Sequence, residues 1–116
     1  MIVELGDSAH LASLIATPGK VVVIDFYADW CGPCKMLSRS VFEKLYKDAE
    51  DVIIVKVDIE QHQDLAQKNE VSSIPLLHFY KDGKEANIAI GTDEKATNKM
   101  VGAQKVQETI ERLRQE

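Results

Sequence analysis

Cys31 and Cys34, three residues apart with Gly32 and Pro33 between them, are the residues of this chain whose type and spacing point most directly to chemistry. They are its only cysteines. Residues three apart at a helix start lie on one side of a turn. In a regular helix their Cβ atoms stand roughly 5–6 Å apart, slightly too far for a disulfide, which needs ~3.5–4.5 Å. With the first cysteine in the turn before the helix, the pair can close and reopen without refolding the domain. A thiol at a helix N-terminus faces unpaired N–H groups and the positive end of the helix dipole. Both favour the thiolate, which is the nucleophile of thiol–disulfide exchange. Pro33 suits the first helical turn, where its missing N–H would be unpaired anyway. Cys31 is expected to attack, with Trp30 shielding one side and leaving its sulfur accessible. Cys34, one turn deeper and better buried, is expected to resolve the mixed disulfide by attacking the Cys31 sulfur.

The same spacing also begins many zinc sites. Zinc needs two more ligands, and the only histidines, His10, His62 and His78, form no spaced pair. Here the cysteines also pass from an apolar strand into a long helix, the context of a redox motif rather than a zinc knuckle. No metal is expected. The 116 residues are 45% hydrophobic and 28% charged, which fits one globular domain over residues 1–116 with room for a real core. A net charge of -5 offers phosphates no attraction, so nucleic acid is a poor partner. No apolar run is long enough to span a bilayer, and no membrane association is expected. Met1-Ile2-Val3-Glu4-Leu5 lacks the basic and long apolar regions of a signal peptide. Cysteine usage and the N-terminal sequence agree on a reducing, cytoplasmic setting, where a close pair is catalytic or metal-binding rather than structural.

The elements that must hold the pair follow from periodicity. Asp7 and Ser8 look like a helix cap, and Leu11, Leu14 and Ile15 fall on one helical face that Pro18-Gly19 terminates. Val21–Tyr27 is an apolar run broken only by Asp25, a strand covered on both faces. Leu37, Val41, Phe42 and Leu45 give the helix after the cysteines its buried stripe. Residues 52–59 form a second covered strand, 61–69 a short exposed helix around Leu65, and 76–80 a third strand. Asp82-Gly83 signals a hairpin, so a strand near 86–90 should run antiparallel. Val106, Ile110 and Leu113 mark a closing helix, and a short strand over Ile2–Glu4 can open the chain. Strands separated by helices make right-handed parallel crossovers, and the late hairpin makes the sheet mixed. The expected fold is a three-layer α/β/α sandwich with a mixed central sheet.

The run Val23-Ile24-Asp25-Phe26-Tyr27-Ala28-Asp29-Trp30-Cys31-Gly32-Pro33-Cys34-Lys35-Met36 resembles the thioredoxin signature. Val55-Lys56-Val57-Asp58, Ser73-Ile74-Pro75 and Val101-Gly102-Ala103 support the resemblance downstream. It implies the thioredoxin fold, protein disulfide reductase activity, recharging by an NADPH-dependent thioredoxin reductase, no bound cofactor, disulfide-containing client proteins, and a monomer. A thiol pKa lowered in this motif is part of what it implies. Asp25 corresponds to a buried carboxylate beneath the cysteines, its pKa raised by desolvation, that takes the Cys34 proton. Read without the family, Asp25 is a strand acid paired with Lys56 from the neighbouring strand. The two readings are compatible, with Lys56 moderating the shift. Ile74-Pro75 corresponds to a cis-proline loop facing the cysteines, where an extended client segment could add alongside; read alone, Pro75 merely starts a strand. Trp30, Gly32, Pro33, Ile74, Pro75 and a loop at Val101-Gly102-Ala103 are the implied docking patch for clients. His78 reads as a satisfied or surface residue, and Met36 and Met100 as packing.

Several positions depart from the family pattern. Tyr27 stands where many members have a second tryptophan. Arg39 replaces a helix-kinking proline, which predicts a straighter helix. Leu76 follows Pro75 where threonine is usual, Gly91 is a second candidate for the family glycine, and the segment around 87–99 is longer than usual. That segment could serve a reductase dedicated to one client. A third reading is a binding subunit that uses the surface without redox turnover. Gly32-Pro33 resembles the reducing members, but about 30 mV changes the exchange equilibrium tenfold, so direction is a finer statement than chemistry.

Overall fold

Val21 to Ile24 are all buried, as is Phe26, and alternate residues serve opposite faces of strand β2 (Val21–Tyr27). Val21 and Val23 join Leu37, Val41, Phe42, Ile54, Phe79 and Ile110 on one face. Val22, Ile24 and Phe26 join Ile53, Val55 and Val57 on the other, with Leu11, Leu14, Ile15 and Leu65 packed against them. Two apolar faces need two covering layers, and the sandwich with its central sheet is the result. The computed structural model describes residues 1–91 and 99–116, and the side chains of residues 1–86 and 103–116.

The other strands are β1 (Ile2–Glu4), β3 (Val52–Asp58), β4 (Leu76–Lys81) and β5 (Lys84–Gly91). The sheet order is β1-β3-β2-β4-β5, with β2 parallel to β3 and antiparallel to β4. Helices α1 (Ala9–Ile15) and α3 (Gln63–Lys68) lie on one side. On the other, α2 (Gly32–Leu37) and a π-helical continuation (Ser38–Tyr46) lie with α4 (Lys99–Arg114). At the first helix the cap belongs to Asp7, whose Oδ1 accepts the Ala9 N–H at 2.9 Å, and the Ser8 side chain makes no capping bond. The Asp82-Gly83 hairpin forms as expected, both residues having positive φ, 53° and 77°. The stretch that the resemblance placed in a loop at Val101-Gly102-Ala103 falls within α4. The long segment around 87–99 includes residues 92–98, outside the described residues, and of Met100 only its place in α4 is described.

The helix carrying the cysteines departs most from expectation. From Ser38 its backbone pairs in π fashion, each N–H reaching one residue further back than in an α-helix. The buried face therefore advances by wider steps. Leu37, Val41, Phe42 and Tyr46 are buried, while Leu45, expected in the stripe, is 40% exposed. The end of this helix is closed by contacts from elsewhere. The Met1 ammonium donates to the Tyr46, Ala49 and Val52 carbonyls at 2.7, 2.9 and 2.7 Å. Tyr46 Oη donates to Glu111 of α4 at 2.7 Å, and Arg114 bridges Glu111 at 3.0 Å and Asp51 at 2.8 Å.

The two registers of the stripe make opposite demands on adjacent residues. Tyr46→Ala should lose at least about 3 kcal/mol and Leu45→Ala less than about 1 kcal/mol, read by urea unfolding. Equal losses at the two positions would show that the stripe keeps α spacing.

Candidate active site

β2 ends at Tyr27 in the middle of the sheet, and the chain turns through Ala28-Asp29-Trp30 into α2. Cys31 has an extended backbone, φ -84° and ψ 106°, and is the N-cap of that helix. Its sulfur accepts the Cys34 N–H at 3.2 Å, one of the donors a helix start would otherwise leave unpaired. Pro33 occupies the first turn. Cys31 and Cys34 are joined as a disulfide with their Cα atoms 5.3 Å apart. The pre-helical placement read from the spacing is thus the one observed, and the exposure difference is not. In the bonded form the two cysteines are almost equally covered, 4% and 3% exposed, because Ala28, Ile59 and Ile74 close around both. What separates them is their place in the helix: Cys31 caps it and Cys34 is inside it.

Around the pair, Trp30 projects into solvent, 68% exposed, and its indole N–H donates to Glu60 at 2.9 Å. Gly32 and Met36 are exposed and Pro33 is half-buried. The Ile74-Pro75 peptide is cis, and the Ile74 carbonyl oxygen lies 3.9 Å from the Cys31 sulfur. Trp30, Gly32, Pro33, Ile74 and Pro75 therefore lie at the mouth of the cysteine loop or against it. Gly102 falls in the first turns of α4, but its surroundings lie outside the described residues.

On the sheet face that the cysteine helix covers, Asp25 is 1% exposed and its Oδ1 has no hydrogen-bond partner. Burial pushes its pKa up to about 7, against the lowering effect of Lys56, with Glu4 adding a smaller upward push. Lys56 is the register neighbour of Asp25, as expected, but the two do not form an ion pair. The Lys56 ammonium instead sits 4.4 Å from the Tyr27 ring centroid, with Ser38 Oγ at 3.4 Å. The reason is geometric: a four-carbon stem from a neighbouring strand carries its charge past a short carboxylate on the same row. A cleft of about 120 Å³ is lined by Tyr27, Cys34, Ser38, Arg39 and Lys56. A buried acid with a pKa near neutral, on the sheet face that the cysteine helix covers and in register with a lysine that lines the cleft, can take up and release a proton.

Three residues that matter here were not singled out from sequence for it: Tyr27, Ser38 and Glu60. Tyr27 carried a signal, being two residues beyond Asp25 on the same face of a strand. Ser38 carried a weaker one, four residues beyond Cys34 on one helix face. Glu60 sits in a loop and carried none. His62 is a fourth surprise of another kind: it is buried, with Nε2 2.9 Å from the Leu5 carbonyl, and ties α3 to the end of β1.

Comparison with known proteins agrees with this geometry. A family model described as thioredoxin matches residues 2–108. Thioredoxin-2 of Saccharomyces cerevisiae is 39% identical over 103 residues, covering 89% of this chain and 98% of the relative. The thioredoxin of Mycoplasmoides gallisepticum is 45% identical over 88 residues, covering 76% of this chain and 86% of its own. Among solved structures, Fasciola hepatica thioredoxin superposes with a TM-score of 0.74 at 36% identity, covering 95% of this chain and 97% of that one. Oxidised mitochondrial thioredoxin 3 of Saccharomyces cerevisiae gives 0.74 at 32% identity, covering 96% and 94%.

The buried acid has a consequence for stability. Its folded pKa of about 7 lies above the ordinary aspartate value of 3.8, so between the two the folded state holds a proton that the unfolded state has already released. Stability is therefore unaffected below about pH 4, falls as pH rises through the interval, and levels off above about pH 7. The full loss is on the order of 4 kcal/mol. Asp25→Asn should remove this slope, unfolding at higher urea than the parent at pH 8 and at nearly the same urea at pH 4. Parallel pH curves for the two proteins would mean that Asp25 is not held protonated.

Proposed function

The chain belongs to the thioredoxin family, and from that premise we propose that it is a general protein disulfide reductase, working as a monomer and recharged by an NADPH-dependent thioredoxin reductase. Thiol–disulfide oxidoreduction on protein disulfides is the family's chemistry, and the chain carries the bonded pair for it. One observation above all supports the assignment: the Cys31 sulfur caps a helix and receives a backbone N–H while bonded to Cys34. The same donor that steadies the sulfur in the disulfide steadies negative charge on it when the bond is reduced.

In the proposed cycle the Cys31 thiolate attacks one sulfur of a client disulfide. A Cys31–client bond forms as the client bond breaks, and the departing client sulfur takes a proton from solvent. Cys34 passes its proton to the Asp25 carboxylate and attacks the Cys31 sulfur. The mixed disulfide breaks, the second client sulfur leaves and is protonated, and the Cys31–Cys34 bond remains. Two electrons have passed to the client, and Asp25 returns its proton through the cleft. Lys56 tunes Asp25, keeping its carboxylate form accessible at neutral pH. Clients dock on Trp30, Gly32, Pro33, Ile74 and Pro75. The whole chain acts as one domain. Cytoplasmic residence belongs to the same proposal and rests on the cysteine usage. No helix among the described residues is long and apolar enough to cross a membrane.

The test is insulin reduction coupled to NADPH oxidation with a thioredoxin reductase. Turnover is expected with the parent protein, and Cys31→Ser should reduce it to background. Cys34→Ser should trap client proteins from a lysate as disulfides to Cys31. Asp25→Asn should slow client release by about 10²-fold and leave the first attack unchanged. Failure to turn over with several reductases, or partner function that survives the double change Cys31→Ser/Cys34→Ser, would remove the reductase assignment.

A further inference from the structure

Glu4, Lys56 and Asp25 stand in one row across three neighbouring parallel strands. Glu4 of β1 is the register partner of Lys56 of β3, and Lys56 is the register partner of Asp25 of β2. Residues in register on adjacent strands share a face of the sheet, so the row runs acid, base, acid below the helix that carries the cysteines. On the fourth strand the row meets Leu77, which is buried and apolar. Tyr27 lies two residues beyond Asp25 and therefore on the same face. Its side chain reaches across β3: the hydroxyl donates to the Glu4 carboxylate on the far strand, and the ring passes over the Lys56 ammonium at 4.4 Å from its centroid. Ser38 Oγ, from the helix layer, stands 3.4 Å from the same ammonium. An aromatic face and a hydroxyl thus hold the Lys56 charge beside Asp25 without neutralising it in a direct ion pair.

We propose that Tyr27 is a positioning residue that acts on Asp25 through Lys56, its ring holding the ammonium beside the carboxylate and Glu4 holding the ring. A lysine stem is flexible and its ammonium strongly hydrated, so without the ring the head group swings out through the cleft into water. The attraction of a cation to an aromatic face opposes that escape, most strongly where water is excluded. The other charges around the cleft are Lys35, Arg39 and Glu43 from the helix layer and Asp29 from the turn. The charges that act on Asp25 are Lys56, which favours its carboxylate, and Glu4, which opposes it. Tyr27 touches both. The burial and the Glu4 bond that keep the Tyr27 hydroxyl protonated also keep it a donor throughout the working pH range. The consequence for the reaction rests on the reading of Asp25 as the Cys34 proton acceptor; the link from ring to ammonium to carboxylate does not.

The experiment follows the Asp25 carboxyl carbon by NMR against pH in the oxidised protein, where the cysteines do not titrate. Tyr27→Leu should raise the Asp25 midpoint by about 0.5–1 pH unit, because the cation that favours the carboxylate has left. Tyr27→Phe keeps the ring and should raise it by less than half as much. In a Lys56→Met background, Tyr27→Leu should add no shift, since the ring then has no charge to hold. Tyr27→Met, of similar length, carries the same test if the leucine variant does not fold. An unmoved midpoint in Tyr27→Leu, or an equal shift with Met at position 56, overturns the proposal. The acceptor reading is decided separately by the pH profile of single-turnover client reduction in Asp25→Asn: an inflection that survives that change sinks the acceptor reading and leaves the NMR result standing on its own.

Discussion

The Cys31 sulfur takes the hydrogen bond that a helix start would otherwise leave unmade, and the site depends on that contact. An oxygen from serine or aspartate commonly fills this place and does nothing further. A sulfur there is steadied by the Cys34 N–H and is within bonding distance of the Cys34 side chain. The contact requires the helix to begin at Gly32, which in turn requires β2 to end where it does. β2 has no freedom in this respect, since it lies between β3 and β4 and is packed by side chains on both faces. The loop at its carboxyl end is joined to that of β3, where the Ile59 N–H donates to the Tyr27 carbonyl at 3.0 Å. Ile59 and Ile74 then press on the cysteines from two further loops. Binding and chemistry outside the carboxyl ends of central strands is where open α/β sheets place their sites.

Most of this arrangement was legible in the sequence, for identifiable reasons. Val21–Tyr27 reads as a doubly covered strand because nothing but Asp25 interrupts it. The hairpin is readable because Asp82-Gly83 has little other use between two apolar runs. The order of layers follows from the crossovers. In the helix after the cysteines, α spacing of the hydrophobic stripe would put Leu45 inside, and nothing in the sequence of Ser38–Tyr46 announces the π pairing that turns it outward. The near-equal cover of Cys31 and Cys34 was not readable either, since it depends on Ile59 and Ile74, residues distant in sequence that fold over the pair. The absent ion pair between Asp25 and Lys56 belongs to the same class. Register could be guessed from two neighbouring strands, but where a long side chain puts its charge depends on Tyr27 and Ser38.

That missing ion pair is consistent with the chemistry proposed for Asp25. A carboxylate bonded directly to an ammonium stays ionised well below neutral pH and is a poor acceptor for a thiol proton. A carboxyl group buried with no cation near it stays protonated at neutral pH, and the neutral acid is too weak a base to take a second proton. An effective acceptor lies between these limits, with a pKa near the working pH. Desolvation of Asp25 supplies the upward push and Lys56 the downward one, and the carboxyl settles at about 7. Distance is the variable that sets the balance, and the ring of Tyr27 with the hydroxyl of Ser38 fixes where the ammonium sits. Many family members have tryptophan where this chain has Tyr27. A larger ring can also cover a lysine, but its one donor is an indole N–H rather than a hydroxyl at the tip of the ring. In this chain the row across β1, β3 and β2 includes the bond from the Tyr27 hydroxyl to Glu4, and the position of the charge beside Asp25 is tied to the edge strand of the sheet as well as to its centre.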